Sequence, residues 1–353
     1  MSVTLSPLLP LFERERRAGR SFVLGVLVHT SGSTYQKPGA LILITAPGDY
    51  AGLISGGCLE ADLRERAGRV LQDGHPQLVC YELRGPEDLL WGLGLGCEGA
   101  MRILLLRVGE DNDWQPLRCL VAALEARRPV AVGLVCESGC TDVALGSLVL
   151  PTRDAARPGA LACARLQSAL EEAAQRARST WYVSETRDLS VFLLPLLLPP
   201  RLLVLGAGPD VAPVVEFATR LDWRVTLVDH RPAYTDSKHF AQAEQVLHLD
   251  ADKLGAALEL NLFRAAVIMS HHLATDLAYL RALAQSDVPY VGLLGPAKRR
   301  DRLLADLGLE AVRLNRRLRA PVGLPLGGRT PEAVALAIVA ELQAFCHENQ
   351  GMC

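Results

Sequence analysis

The sequence predicts an α/β protein of two parts, a mixed α/β domain over residues 1–198 and a doubly wound parallel sheet over residues 199–353. The chain has 353 residues, more than one hydrophobic core usually organises, and 50% of them are hydrophobic. Strand and helix patterns alternate regularly only after Pro199 and Pro200, and consecutive prolines interrupt regular pairing. Such alternation is typical of a parallel sheet with helices on both faces.

The first 150 residues mix helices and strands, and a linker begins at about residue 151. Aliphatic runs bounded by Gly, Pro or Ser predict strands, and apolar residues at helical spacing predict helices. The strands are Phe22–Val28, Leu41–Thr45, Tyr50–Ile54, Leu78–Leu83, Met101–Val108, Val130–Cys136, Val143–Leu150, Trp181–Ser184 and Val191–Leu198. The helices are Ser6–Arg17 with Ser6 as N-cap, the stretch from Leu59 to Leu71, Pro116–Arg127, and a segment between Gly159 and Ser179.

After Arg201 the same signals give five strands separated by helical segments. The strands are Leu202–Leu205, Arg224–Val228, Gln245–His248, Ala265–Met269 and Tyr290–Leu294. The helices are Val211–Leu221, Asp276–Ala284, Lys298–Leu307 and a last one that begins at Thr330-Pro331-Glu332, with Thr330 as N-cap.

Composition excludes several classes of function. The 37 basic and 39 acidic residues give a net charge of −2, and aromatic residues are only 5%, which argues against a nucleic-acid partner. The longest apolar run, Val191–Pro200, is too short for a membrane helix, and the apolar N-terminus lacks the positive segment of a signal peptide. We therefore expect no membrane association and a cytoplasmic location. Nine cysteines without a Cys-x-x-Cys pair favour reduced thiols over disulfides or structural zinc.

The second part carries a glycine-rich turn between a strand and a helix. Gly206 and Gly208 frame this turn, and Asp229 ends the next strand, 23 residues after Gly206. This is the layout of a Rossmann-like dinucleotide site, in which the carboxylate binds a ribose hydroxyl. Val211 replaces the third glycine, and Asp210 would repel a pyrophosphate. A nucleotide contact at Asp229 and a simple strand-end cap both stay open.

The carboxyl ends of parallel strands are where open α/β sheets bind ligands. His271 and His272 directly follow the fourth predicted strand of this part, and a histidine there can donate, accept or coordinate. A ligand contact and an exposed loop pair are equally compatible with the pattern.

The most informative feature of the first part is the segment Ser55-Gly56-Gly57-Cys58-Leu59-Glu60, here called the cysteine turn. Two glycines allow close approach of the backbone to a ligand, and the following helix supplies a positive end. A thiol in that place gains thiolate character and suits a metal or sulfur ligand. The alternative is a plain strand–helix turn with a small buried cysteine.

Two further loops surround this turn in sequence. Gly92–Gly99 is too rich in glycine for ordinary strand packing, and Ser31–Gly39 offers hydroxyls, amides and one cation that suit a phosphate-bearing molecule. Each could equally be a plain surface loop. The sequence has no Walker-type phosphate loop, no nucleophile elbow and no two-histidine zinc helix.

Taken in order, these motifs resemble the XdhC/CoxI family over nearly the whole chain. The matching segments are Gly32-Ser33-Thr34, Pro38-Gly39-Ala40, Gly52 with Ser55–Ala61, Gly94–Gly99, Val204–Gly208, Val225–Pro232, Tyr290–Gly295, Ala320–Leu324 and Gly328–Glu332. Three positions depart from the family pattern: Glu98 stands where a glycine is usual, Ser270-His271-His272 replaces Thr-His-Asp, and Pro209-Asp210 is similar to one branch only.

The resemblance implies a chaperone for molybdenum cofactor, in a mononucleotide or dinucleotide form, rather than a catalyst with its own turnover. Members of the family are associated with exchange of an oxo ligand for sulfide and with delivery to an apo molybdenum hydroxylase such as xanthine dehydrogenase. The implied partners are that apo-enzyme, a sulfur donor (a cysteine desulfurase) and cofactor-synthesis proteins. A homodimer is the default expectation for a cytosolic protein of this kind.

The resemblance also implies where the cofactor binds. Cys58 would lie near the molybdenum or its sulfur and act there, either as a metal ligand or as a carrier of sulfur, while the Ser31–Tyr35 loop and the turn glycines would hold the pterin phosphate. A cleft between the domains would hold the rest. The full predicted set is Ser33, Thr34, Ser55, Gly56, Gly57, Cys58, Glu60, Gly96, Cys97, Gly206, Gly208, Asp229, His230, His271 and His272. Competing hypotheses are an NAD(P)-dependent oxidoreductase, which Asp229 supports and Val211 and Asp210 oppose, and a pure interaction module without a small ligand.

Overall fold

A computed structural model describes residues 5–46, 48–82, 99–139, 141–151, 164–234 and 240–348. The chain forms two compact units, the first ending at Leu198 and the second beginning at Pro199.

The first unit contains two antiparallel sheets. Its strands are β1 (Phe22–Gly32), β2 (Leu41–Thr45), β3 (Tyr50–Gly52), β4 (Gln77–Glu82), β5 (Gly99–Val108), β6 (Ala131–Ser138), β7 (Leu148–Val149), β8 (Thr180–Val183) and β9 (Leu189–Pro195). Its helices are α1 (Leu9–Arg17), α2 (Glu60–Asp73), α3 (Leu117–Glu125) and α4 (Ala164–Gln175). One sheet has the order β3-β2-β1-β5-β4 and the other β7-β6-β9-β8.

The five-stranded sheet is buried on both faces, which explains the unbroken apolar run at the start of β1. On one face Leu63, Ala67 and Val70 of α2 pack against β1, β2 and β5, at the spacing of one helix face. On the other face the sheet packs against β6 and β9 together with α1 and α3. Helix α4 covers the outer face of the four-stranded sheet. The cysteine turn lies at the start of α2 and is therefore anchored to this core.

The second unit is one parallel sheet with helices on both faces. Its strands are β10 (Arg201–Leu205), β11 (Arg224–Asp229), β12 (Gln245–His248), β13 (Ala265–Ile268), β14 (Val291–Leu293) and β15 (Leu318–Arg319). Its helices are α5 (Ala212–Arg220), α6 (Leu254–Ala257), α7 (Leu273–Ala284), α8 (Ala297–Leu307) and α9 (Pro331–Glu348). The order β12-β11-β10-β13-β14-β15 is parallel throughout.

Helices α5 and α9 pack on one face of this sheet, and α6, α7 and α8 pack on the other. The predicted fold class, a mixed α/β part followed by a Rossmann-like doubly wound sheet, is confirmed. The strand order reverses between β10 and β13, so the crevice at which such sheets bind ligands lies at the carboxyl ends of these two strands.

Of the predicted helix caps and strands, some are confirmed, and others failed where core packing or a glycine overrode the local signal. The Thr330 hydroxyl caps α9 as predicted, accepting from the Ala333 N–H at 3.3 Å. The Ser6 cap was wrong: α1 begins after Leu8, because Leu5 and Leu8 turn into the core. The strand predicted at residues 143–150 is only β7, because Gly146, at φ +78°, breaks the extended chain.

Candidate functional site

The cysteine turn joins β3 to α2, and its two glycines make its shape possible. Gly56 and Gly57 have φ of +76° and +110°, a region in which residues with a Cβ are strained. Gly56, Gly57 and Cys58 are exposed, whereas Ser55 and Leu59 on either side are buried. The turn therefore presents the free thiol of Cys58 to solvent, and the alternative of a small buried cysteine is wrong.

Glu60, the first residue of α2, folds its carboxylate back beneath the turn, where it is 3% exposed. Oε1 accepts from the N–H of Ser55 at 3.0 Å and of Ile54 at 3.4 Å. Oε2 accepts from the N–H of Gly57 at 3.0 Å and from the Ser55 hydroxyl. The Ser55 oxygen in turn accepts from the N–H of Leu59 at 2.8 Å. The Glu60 carboxylate thus accepts hydrogen bonds from three N–H groups and one hydroxyl group on the inner side of the turn.

Burial tends to raise the pKa of Glu60, but hydrogen bonds from the Ser55 hydroxyl and from backbone N–H groups outweigh it and leave that pKa below its ordinary value. The ionised carboxylate is therefore the stable form in the turn. Glu60 was predicted to bind cofactor directly, yet its oxygens are already engaged by the turn itself.

The Ser31–Tyr35 loop reaches the cysteine turn through the ring of Tyr35. A Cβ placed on Gly56 would lie 3.4 Å from Tyr35 Cδ2, so the ring packs against that glycine. Tyr35 is nevertheless 58% exposed. Sequence reasoning did not single out this residue, although an aromatic side chain within a Ser- and Gly-rich loop was a signal that could have found it.

The Ser31–Tyr35 loop also meets the end of the second glycine-rich loop. Gly32 pairs with Gly99, and a Cβ on Gly99 would lie 2.5 Å from the Ser33 carbonyl oxygen, so only glycine fits there. Ser33 is exposed, whereas the Thr34 hydroxyl donates to the Gln36 carbonyl at 2.8 Å. The predicted site residues Gly96 and Cys97 lie outside the described residues.

The glycine-rich turn of the second unit is built differently. Gly206 has φ of +125°, and a Cβ there would lie 2.4 Å from the Met269 carbonyl oxygen. All three residues from Gly206 to Gly208 are buried. The N–H of Ala207 donates to Asp229 Oδ2 at 2.7 Å. The turn is therefore tied to the end of β11.

Asp229 is 0% exposed and forms a two-pronged pair with Arg231, whose Nε and Nη2 lie 2.9 and 2.8 Å from Oδ1 and Oδ2. The backbone N–H of Arg231 also donates to Oδ1 at 2.8 Å. Burial tends to raise the pKa of Asp229, but the bonds from Arg231 and Ala207 outweigh it and lower that pKa. A ribose hydroxyl would have to displace these bonds. The geometry therefore favours the second alternative, in which Asp229 is a structural residue that caps the end of its strand, over a contact with NAD(P). Arg231 is a site residue that sequence reasoning did not select.

The three histidines of the predicted site lie at the carboxyl edge of this sheet. His271, at φ +57°, lies with Nε2 2.8 Å from Asp210 Oδ2, which links the loops that follow β10 and β13. His272 is the N-cap of α7, and its Nδ1 accepts from the Thr275 N–H at 3.4 Å. The rings of His230 and His272 have centroids 6.3 Å apart. The structure therefore brings these residues together and gives His272 a capping role.

A third buried carboxylate, which the sequence did not reveal, fixes the start of α7. Asp276 is 1% exposed and accepts from the Ser270 hydroxyl and from Arg299, whose Nη2 lies 2.6 Å from Oδ2. This bonding holds the loop that carries His271 and His272.

Across the described ranges, no group of three or more His, Cys, Asp or Glu side chains is arranged to hold a metal ion. Within the same part of the chain, every helix is too short or too polar to cross a lipid bilayer.

Comparisons with known proteins agree over both units. A family model described as the XdhC Rossmann domain matches residues 202–342, and one described as the XdhC and CoxI family matches residues 15–82. A Bacillus subtilis (strain 168) protein, named as a probable xanthine dehydrogenase subunit, is 30% identical over 323 residues, covering 91% of this chain and 92% of the relative. The Escherichia coli (strain K12) molybdenum cofactor insertion chaperone PaoD is 23% identical over 341 residues, covering 95% and 87%. A crystal structure described as a xanthine dehydrogenase from Bacillus halodurans is 28% identical, covers 96% of each chain and superposes with a TM-score of 0.76.

Proposed function

Because the chain belongs to the XdhC and CoxI family, we propose that it is a maturation factor that binds molybdenum cofactor as cargo and delivers it to an apo molybdenum hydroxylase. One relative is named a molybdenum cofactor insertion chaperone and another is named as a probable xanthine dehydrogenase subunit; both match most of the chain. The observation that carries the proposal is the exposed Cys58 thiol on a turn whose buried side is filled by Glu60.

The residues around Cys58 fit the chemistry of this cargo. A thiolate is a soft ligand that suits molybdenum or its sulfur better than a hard cation. Tyr35 offers an exposed aromatic ring to a planar pterin. Lys37 is an exposed cation whose Nζ lies 3.4 Å from Thr34 Oγ1. In the proposed complex, Lys37 and the exposed hydroxyl of Ser33 would bind the phosphate of the pterin.

In the finer form of the proposal, an oxo ligand of the cargo is exchanged for sulfide while the cargo is held at Cys58; the oxo ligand leaves as water, and a thiol reductant releases the sulfide from the persulfide of the sulfur donor. A cysteine desulfurase supplies the sulfur, cofactor-synthesis proteins supply the cargo, and the chain works as a homodimer in the cytoplasm. The protein then acts by holding and handing over its cargo rather than by turnover.

The test is an anaerobic binding titration of molybdenum cofactor with wild type, Cys58→Ala and Cys80→Ala. Cys80 is a matched control because it is also a free, exposed cysteine, on β4. We expect Cys58→Ala to lose at least about tenfold in affinity, roughly 1.4 kcal/mol, and Cys80→Ala to bind as wild type. The same variants are then compared in reconstitution of an apo-hydroxylase. Equal binding by Cys58→Ala and wild type would refute the role of Cys58, and binding of NAD or NADP alone would refute the maturation function.

A further inference from the structure

The cysteine turn already contains an anion, and that anion belongs to the protein. Backbone N–H groups that converge within a turn form a concavity that binds anions. In this turn the N–H groups of Ser55 and Gly57 and the Ser55 hydroxyl all point to the carboxylate of Glu60. A phosphate of the cargo therefore has no access to these donors.

We propose that Glu60 is a positioning residue, whose carboxylate fills the anion-binding concavity of the turn and fixes the Cys58 thiol outward, without touching the cargo. The inference rests on the proposed function for the role of Cys58. This proposal replaces the expectation that the Glu60 carboxylate and the Gly57 N–H contact the cofactor.

The start of α2 shows how much of the local structure depends on this contact. No side-chain bond caps α2 at its N-cap residue Leu59, as far as the described residues show. The N–H of Leu59 is instead satisfied by Ser55 Oγ, which itself donates to Glu60. Carboxylate, hydroxyl and helix start thus form one connected unit, and Cys58 lies inside it, between Gly57 and Leu59.

The chemistry of the contact requires a carboxylate rather than a side chain of similar size. Three N–H groups and one O–H group point to the two oxygens of Glu60, so both oxygens must accept. In Glu60→Gln the amide NH₂ would face donors on one side, and hydrogen bonds would be lost without any change in volume.

The experiment is chemical rescue in the full chain. Glu60→Ala removes the carboxylate and leaves its donors in place, and formate is small enough to enter the vacated space. The control is Asp62→Ala, which also removes an acidic side chain from the first turn of α2. The Asp62 carboxylate bonds to Arg66 and Tyr81 and makes no bond to the cysteine turn that the structure describes. Amide hydrogen exchange at Ser55 and Gly57 and affinity for molybdenum cofactor are measured with excess formate, and with chloride at equal ionic strength.

We expect exchange at Ser55 and Gly57 to accelerate about tenfold in Glu60→Ala, because each N–H loses its acceptor, with a fall of about fivefold or more in cargo affinity. Formate should restore both quantities, chloride neither, and Asp62→Ala should behave as wild type in both. Glu60→Gln, which keeps the volume, should accelerate exchange at the one of Ser55 and Gly57 whose N–H faces the amide NH₂, with global unfolding little changed.

Unchanged exchange at Ser55 and Gly57 in both Glu60 variants would overturn the proposal, as would wild-type cargo affinity in a variant whose turn exchanges faster. Failure of the proposed function has a different signature, in which wild type does not bind the cargo or Cys58→Ala binds it equally well. In that case exchange and its rescue by formate still decide whether Glu60 positions the turn.

Discussion

The cysteine turn of the first unit and the glycine turn of the second solve the same structural problem in two ways. Each connects a strand to a helix, and each is braced by a buried carboxylate that accepts from N–H groups of the turn. Glu60 comes from the helix that follows its turn and is satisfied by N–H and hydroxyl groups. Asp229 comes from the neighbouring strand and is also paired with Arg231.

Which element supplies the buried carboxylate determines which side of the turn stays exposed to solvent. A carboxylate from the following helix reaches the turn from beneath, so Gly56, Gly57 and Cys58 stay exposed. A carboxylate from the adjacent strand ties two strand ends together, and the residues from Gly206 to Gly208 are buried. Two glycine-rich turns that look alike in sequence therefore differ in what they can offer a ligand.

Alanine at one glycine of each turn gives the largest expected contrast. Gly206→Ala combines positive φ with a Cβ 2.4 Å from a backbone carbonyl, and should lower the free energy of unfolding by about 3 kcal/mol or more. At Gly57 no atom lies within 4 Å of the added Cβ among the described residues, so strain alone should cost about 1–2 kcal/mol. Denaturant unfolding of the full chain measures both. Equal losses would show that the two turns are not packed differently.

The next contrast concerns Arg231, whose guanidinium pairs with the buried carboxylate of the second turn; Glu60 in the first turn is bonded by N–H and hydroxyl groups instead. Arg231→Ala leaves the buried Asp229 without its cation and should cost about 2 kcal/mol at pH 7, below the value for a fully buried pair because the Arg231 side chain is 35% exposed. Arg220→Ala, which breaks an exposed pair with Glu216, is the control and should change little. Thermal unfolding of both variants beside wild type is the measurement.

The pH dependence of the Arg231→Ala defect follows from the lowered pKa of Asp229. In wild type the stability from this carboxylate is fully present above its unfolded pKa, about 4, and is lost as pH falls through the lower folded value. The variant lacks most of that contribution, so thermal unfolding curves of the two proteins should converge as pH falls below about 4. A deficit that stays constant as the pH falls well below about 4 would show that Arg231 acts by packing rather than by charge.

Sequence patterns predicted the sheet of the second unit and the glycine turns because both are encoded locally, in apolar runs and in residues that permit positive φ. They did not predict where each carboxylate points. The sequence suggested a ligand contact for Glu60, since its position after the glycines is the same whether it turns inward or outward. The contact of the Tyr35 ring with Gly56 and the ion pair of Arg231 with Asp229 depend on how the side chains pack in three dimensions, which local patterns do not encode. Strand β15 has only two residues, too few for a periodic signal.

The smallest expected effect lies at the crevice between β10 and β13, where two adjacent histidines differ in role. His271 pairs with Asp210 at 2.8 Å, but their side chains are 59% and 28% exposed, so His271→Ala should cost no more than about 0.5 kcal/mol. His272→Ala removes the cap of α7 and should cost about 1 kcal/mol. Thermal unfolding of the two variants side by side is the measurement. A larger loss in His271→Ala would mean that the Asp210 pair, and not only the brace at Asp229, holds the loops that follow β10 and β13.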